Sequence, residues 1–375
     1  MSLILAIESS CDETACAVVK DGVEVISHTL ASSSEMHMKW GGVIPEIAAR
    51  KQLESVVPVI DSCMEKAKEN GVTKEDLTSI AVTAGPGLIG SLVIGIAAAK
   101  SLALAWNKPL IPVNHLVGHI YANFIQELDG TKLQDGRVPE FPAMVMIVSG
   151  GHTDIVVMKS HGEFEYIGGT VDDAAGEAFD KAARLLGISP YLGGVRLSQK
   201  ANEYKNSELF GKSVTHLFKR PMIDSGDYDF SFSGIKTAVL MKVKEELGID
   251  VKTSFSSSQI KSEDLSQGFV KMISYEFEEA VTDVLSEKLV NASFEYKVKS
   301  ILLGGGVSAN SVLREKVAQK IERVGFDHKP ELFVPPTQLC TDNAIYIASC
   351  AHFNNNPKPL EKIDVMPGLT VMDRF

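Results

Sequence analysis

Two stretches of this chain share one pattern of apolar and polar positions. Leu3 to Ile7 is an apolar run closed by Glu8, Ser9 to Asp12 are small or polar, and an apolar run resumes towards Val19. The pattern returns at Ala143 to Val148, Ser149 to His152 and Thr153 to Val157. Each copy predicts a strand, a tight turn and a second strand. Such a turn directs backbone N–H groups and hydroxyls outward, which suits an anion such as phosphate.

Around these hairpins the pattern predicts strands at 3–8, 15–20 and 23–30, then a long amphipathic helix from Pro45 to about Asn70. Ile47, Leu53, Val56, Val57, Ile60 and Met64 mark its apolar face, Pro45 suits its first turn and Gly71 its stop. A strand at 78–83, the turn Ala84 to Gly87, an apolar helix from 88 to 106, a strand at 109–113 and a helix from Asn114 to Leu128 follow. Polar residues Asp129 to Glu140 read as a connection. The second half predicts strands at 143–148, 153–158 and 164–168, an irregular insertion over 172–260 and a long helix over 263–294. Strand 299–303, helix 308–324, strand 331–334 and a last helix from Thr341 complete it. Strand and helix order βββαβα, met twice, implies two mixed sheets flanked by helices. The expected fold is α/β, the two-lobed actin/Hsp70/sugar-kinase (ASKHA) superfold, with a nucleotide-like ligand between the lobes. The expected division is a lobe at 1–136, a second at 137–340 with the insertion, and a C-terminal helical segment, 341–375, packed back on the first.

Composition changes this picture little. The chain has 375 residues, 45% hydrophobic and 23% charged, as in ordinary globular proteins. Leu88 to Trp106 is apolar, but Gly90, Ser91, Gly95, Lys100 and Ser101 interrupt it, favouring a buried helix over a membrane span. The chain enters a strand at once without a charged leader, and five cysteines with no CxxC pair fit reduced thiols. The expected location is the cytoplasm. A net charge of −11 argues against a general polyanion coat. Yet ten Lys/Arg stand against five Asp/Glu between Lys181 and Lys242, either a solvated face or the footprint of a polyanion.

Candidate chemistry gathers at four places. His115 and His119, at i and i+4 on one helix face, are within reach of a single metal ion. Leu116, Val117 and Gly118 between them supply no HExxH glutamate, which disfavours a zincin-type peptidase. A third ligand must come from elsewhere, and Asp342 in Cys340-Thr-Asp-Asn343 is a candidate, with helix capping its plainer use. Gly304 to Asn310, between a strand and a helix, is a Gly-rich turn of the kind that approaches a nucleotide, where Asn310 could meet ribose or base. Asp173, Glu177 and Asp180 share a helix face and could form a polar wall near Tyr191 to Gly194, or compensate the helix dipole. Asp12 and Glu13 are harder to explain structurally, because carboxylates in a phosphate-type turn repel an anion unless a cation or an activated water intervenes.

Taken together, these segments resemble the TsaD family of tRNA threonylcarbamoyltransferases over nearly the whole chain. The likeness runs through Glu8 to Thr14, Gly41 to Glu46, Thr83 to Gly87, His115 to His119, Val148 to Thr153, Asp172 to Lys181, Asp229 to Gly234 with Lys236 and Thr237, Gly304 to Asn310, and Cys340 to Asn343. It implies transfer of a threonylcarbamoyl group from threonylcarbamoyl-AMP to N6 of the adenosine 3′ of the anticodon, in tRNAs reading codons that begin with A. It further implies one divalent metal on His115, His119 and Asp342, Fe2+ by the family pattern with Zn2+ as the alternative. Adenylate contacts would come from Ile147, Val148, Ser149, Gly150, Gly151, Asp180, Gly194 and Asn310, and protein partners would be of the TsaB and TsaE type. Thr78 to Leu104, especially the apolar helix, could face TsaB.

Four positions depart from the family: Val117 where Glu is frequent, Leu192 and Val195 where Pro is frequent, and Ala344 where Gly is frequent. Asp12 and Glu13 are our candidates for taking the proton from the adenine amine, and the basic stretch Lys181–Lys242 is our candidate tRNA surface. The competing readings are a small-molecule kinase or ATPase of the same fold, which leaves the histidine pair unexplained, a zinc peptidase, and a non-enzymatic actin-like scaffold.

Overall fold

A computed structural model describes residues 1–211, 216–250, 252 and 263–375. The first half contains β1 (Leu3–Glu8), β2 (Glu13–Lys20), β3 (Glu24–Ser32), α1 (Ser34–Met38), α2 (Pro45–Glu69), β4 (Ser79–Gly85), α3 (Ile89–Trp106), β5 (Leu110–Asn114), α4 (His115–Tyr121), β6 (Glu127–Leu128) and β7 (Thr131–Lys132). The second contains β8 (Ala143–Val148), β9 (Thr153–Ser160), β10 (Glu163–Gly169), α5 (Ala175–Leu185), α6 (Gly193–Lys205), α7 (Ser233–Glu246), α8 (Gln267–Glu295), β11 (Ser300–Gly304), α9 (Ser311–Arg323), β12 (Glu331–Phe333) and α10 (Ile345–Phe353). Of the insertion expected over 172–260, residues 212–215, 251 and 253–260 lie outside the described residues.

Two mixed sheets result, ordered β5-β4-β1-β2-β3-β6-β7 and β10-β9-β8-β11-β12. In each, the first strand of the hairpin pairs antiparallel with the second and parallel with a later strand on its other edge. Ile7 faces Cys16 and Val82 in one sheet, and Met146 faces Ile155 and Leu303 in the other. Every residue of β1 and β8 is buried, as fits central strands covered on both faces. The fold is the two-lobed ASKHA arrangement.

Three apolar clusters fill the layers. One packs β1, β2 and β4 against α2 and α3, and another packs the second sheet against α5 to α9. The third lies between the sheets, where Ile4 and Ala6 of β1 and Val145 and Ile147 of β8 meet α4 and α10. The helix bearing both histidines therefore sits in the middle layer, and α10 packs beside it.

Four expectations need correction. The helix expected over 114–128 ends at Tyr121, because Asn123 donates from Nδ2 to the carbonyls of Ile120 (3.1 Å) and Leu303 (2.9 Å) and the chain then extends along β3. The polar stretch from Asp129 is partly a hairpin, turned at Asp129 and Gly130 with φ of 51° and 74°. The last helix starts at Ile345, where Asn343 Oδ1 accepts from the N–H groups of Ile345 and Tyr346, and it ends at Phe353. Finally, α3 is not a fully buried helix. Gly95 packs so closely on β1 that a Cβ there would lie 2.2 Å from Ser9 Oγ, while Ile89, Val93 and Leu104 face outward. On α2, Leu53 and Val57 are likewise exposed despite lying on the expected apolar face. By length and composition α3 could cross a membrane, the one such helix among the described residues, with a third of it buried.

Candidate active site

β5 delivers its last residue, Asn114, as the cap of α4, with Oδ1 accepting from Leu116 N at 3.0 Å. That cap starts the helix at His115, so His115 and His119 fall one turn apart with ring centroids 4.6 Å from each other. Asp342, just ahead of α10, closes the group. Its Oδ1 lies 3.5 Å from His115 Nε2 and 3.4 Å from His119 Nε2. The three side chains offer ligand atoms within 4.8 Å of one another.

The donor set fits a metal ion. A tetrahedral ion with bonds of about 2.1 Å separates its ligand atoms by about 3.4 Å, close to both carboxylate–imidazole spacings. The second nitrogen of His115 is already held, with Nδ1 3.0 Å from Glu8 Oε2, which aims Nε2 at Asp342. A carboxylate behind a metal-binding imidazole is the usual orienting device. Glu8 is itself fully buried and accepts from Thr83 Oγ1 and Ser10 N, both at 2.5 Å. His119 Nδ1 is buried without a partner among the described residues, and Tyr346 Oη lies 3.5 Å from its Nε2.

Electrostatics follow the geometry. Burial opposes charge on His115, but the Glu8 and Asp342 carboxylates outweigh it and hold this imidazole well above its usual range. Burial lowers His119, with repulsion from His115 added. Against its burial, the two imidazoles hold Asp342 well below the ordinary carboxylate range. His152, in the β8–β9 turn, is pushed down to about 4 by burial and by the nearness of His115 and His119. Gly304 packs against the His119 carbonyl and Gly305 against that of Val148, which brings the second hairpin alongside α4.

That hairpin turn is open. Ile147 and Val148 are buried strand residues, Ser149 N and His152 O close the turn at 2.9 Å, and Gly150 and Gly151 have nothing within 4 Å of where a Cβ would stand. Gly305 crosses close behind it, φ +86°, and a Cβ there would sit 2.5 Å from Val148 O. Asp180 Oδ1 accepts from Gly194 N at 3.0 Å, bringing these two expected contacts together. Asp173 and Glu177 do not join them in a wall, since both pair with Lys181. Asn310 caps α9 through Oδ1 (2.9 Å to Leu313 N) and donates from Nδ2 to Glu278 and Ser198. It therefore fills its plainer structural use as well.

The first hairpin is crowded. Gln52 of α2 donates from Nε2 to the carbonyls of Ser9 (3.2 Å), Cys11 (2.7 Å) and Glu13 (3.1 Å), fastening the turn. Asp12 is buried and accepts from Tyr191 Oη at 2.8 Å, a bond between the two halves of the molecule. Burial and a hydrogen bond to Asp12 push Glu13 up to about 10. Val117 turns away from the triad towards a cavity of about 380 Å³ that it shares with His161, Phe164 and Phe353. Its lack of a carboxylate leaves the ligand set intact. Leu192 takes a left-handed φ of 48° that no proline could adopt.

Sequence reasoning gave no role to Glu8, Gln52, Tyr191 or His152. Only Glu8 carried a signal, as the single acid in an otherwise apolar strand. The basic stretch also differs from its sequence count. Lys181, Lys200, Arg220, Lys236 and Lys242 all form ion pairs, and Lys212 lies outside the described residues.

Comparison with known proteins gives the chain a family. The family described as "TsaD: tRNA N6-adenosine threonylcarbamoyltransferase" matches residues 24–349. The chain belongs to the TsaD family. A tRNA N6-adenosine threonylcarbamoyltransferase of Dehalococcoides mccartyi (strain CBDB1) is 43% identical over 370 residues, covering 98% of this chain and 99% of that one. The Bacillus subtilis (strain 168) protein of that name is 44% identical over 350 residues, 92% of this chain and 88% of its own. Among solved structures, component A of the (R)-2-hydroxyglutaryl-CoA dehydratase of Acidaminococcus fermentans covers 94% of this chain and 99% of its own. Its TM-score is 0.47, at 14% identity.

Proposed function

We propose that this TsaD-family enzyme transfers the threonylcarbamoyl group of threonylcarbamoyl-AMP to N6 of the adenosine 3′ of the anticodon, in tRNAs reading codons that begin with A. The observation that carries the reading is the convergence of His115, His119 and Asp342 opposite the open Ser149–Gly151 turn, in a chain of this family. The adenylate lies against that turn, with Asp180, Gly194 and Asn310 towards its nucleoside. Backbone N–H groups of Gly150 and Gly151 are free to meet phosphate or the developing oxyanion. A divalent ion on the triad, iron by family pattern with zinc as the alternative, would polarise the acyl carbonyl as a Lewis acid. Glu8 keeps His115 turned towards that position.

AMP is a good leaving group, so positioning and charge stabilisation dominate the barrier, and the weakly nucleophilic adenine amine needs a proton acceptor. Glu13, held up to about 10, keeps its proton at neutral pH and is a poor acceptor. The acceptor's role then falls to Asp12, once Tyr191 gives up its hydrogen bond. Partners of the TsaB and TsaE type fit the family, and the exposed apolar residues Leu53, Val57, Ile89, Val93 and Leu104 of α2 and α3 offer a surface for TsaB. We place the protein in the cytoplasm, where its substrate is found. Mass analysis of tRNA nucleosides, after incubation with threonine, bicarbonate, ATP and the partner proteins, tests the reading. Wild type should yield the modified adenosine, and His115→Ala should lose both product and bound metal. Product from His115→Ala at the wild-type rate would refute the metal's part.

A further inference from the structure

Five cations of the 181–242 stretch are spent on ion pairs, but among the described residues Arg196 and, from the segment after α1, Lys39 are not. Lys39 and Arg196 are exposed and form no salt bridge among the described residues, with Arg196 Nη2 resting on Met38 Sδ at 3.8 Å. Next to Lys39 in the chain, and two residues beyond the Met38 that Arg196 touches, stands Trp40, which is 67% exposed. An indole is costly to leave in water without a partner, because it is among the largest apolar surfaces a residue can bury. Its backbone is not loose. Trp40 N donates to His37 O at 3.0 Å, and the next residue, Gly41, accepts from Arg184 Nη2 at 2.9 Å and packs by Pro190. His37 beneath is buried, its ring 6.2 Å from that of Tyr191. The structure holds the indole outward on a fixed base spanning both halves of the molecule. Glu35, the nearest acid in sequence, lines the cavity beside Asp12.

We propose that this rim docks the single-stranded loop of the RNA substrate, with Trp40 stacking on an unpaired base and Lys39 and Arg196 facing phosphates. An exposed aromatic flanked by unpaired cations is how single-stranded nucleic acid is gripped without reading sequence. The location suits the reaction, since Tyr191 connects the rim to Asp12 through one hydrogen bond of 2.8 Å. A nucleotide next to the base on Trp40 is then at the entrance to the cleft, already out of its stack. This inference rests on the reading of RNA as substrate.

The test uses the full-length chain and a fluorescein-labelled anticodon stem–loop. Trp40→Ala should weaken binding about tenfold, in line with the stacking of one base, and Trp40→Phe less than about threefold. The chain has two tryptophans, so a Trp106→Phe background leaves Trp40 as the only indole, and its fluorescence should be quenched on binding. Arg196→Glu should flatten the salt dependence of affinity. Wild-type affinity in Trp40→Ala without quenching overturns the rim while RNA binding stands. Equal loss in Trp40→Ala and Trp40→Phe also overturns it, by removing stacking as the cause. Absence of stem–loop binding by the wild-type chain, even with its partner proteins, overturns the RNA reading and the rim with it.

Discussion

The two hairpins are the same device built to opposite ends. The turn after β1 is packed with polar groups that bind each other: Glu8 to His115 and Thr83, Asp12 to Tyr191, and three carbonyls to Gln52. The turn after β8 holds two glycines with empty space where side chains would be. A repeated frame thus separates two tasks. One copy spends its polar atoms on fixing a charged machine in place, and the other keeps open space at Gly150 and Gly151. Rigidity and vacancy are hard to combine in one loop, because a donor satisfied by the protein is no longer available to a substrate.

The contrast can be broken from either side. Asp12→Asn should cause the largest change, a fall of about 100-fold in kcat with adenylate affinity retained, measured by single-turnover transfer and by ligand titration. Unreduced turnover would remove Asp12 from the chemistry. Glu8→Gln keeps the shape of the first turn but removes the charge behind His115. Metal affinity should drop at least about tenfold by chelator competition, and an unchanged affinity would reduce Glu8 to a buried structural acid. Behind the other hairpin, in the turn after β11, Gly305→Ala forces a side chain into a positive-φ position against Val148 O. It should cost at least about 1 kcal/mol in the denaturant midpoint, without altering metal content. Loss of metal in that variant would show that the two hairpins are not separable.

Much of this was legible in the sequence, and the failures are instructive. The hairpins and the glycine turn were visible because apolar strands flanking small residues leave little choice of structure. His115 and His119 were visible because helical spacing alone brings them together. The pairing of Glu8 with His115 was not, since a contact between residues 107 positions apart leaves no local trace. The helix after His119 was extended too far because Ile120 to Leu128 continues the apolar pattern, and the break depends on Asn123 reaching a carbonyl in the other sheet. A helix apolar all round, like α3, cannot announce which side is covered. Leu92, Gly95, Ile96, Ala99 and Ala103 face inward, while Ile89, Val93 and Leu104, no less apolar, face outward. A charge count over 181–242 cannot see partners either, such as Asp173, which engages both Lys181 and Lys236.

Asp342 reaches the triad from near the opposite end of the chain to Glu8, carried by the segment that leads into α10. A ribosome releases residues 8 and 115 long before it polymerises residue 342. The nascent polypeptide therefore carries two imidazoles without the Asp342 carboxylate for most of its synthesis, and the three candidate ligands stand together only once Asp342 has reached α4. A product truncated ahead of Asp342 would keep both imidazoles and lack the third candidate ligand.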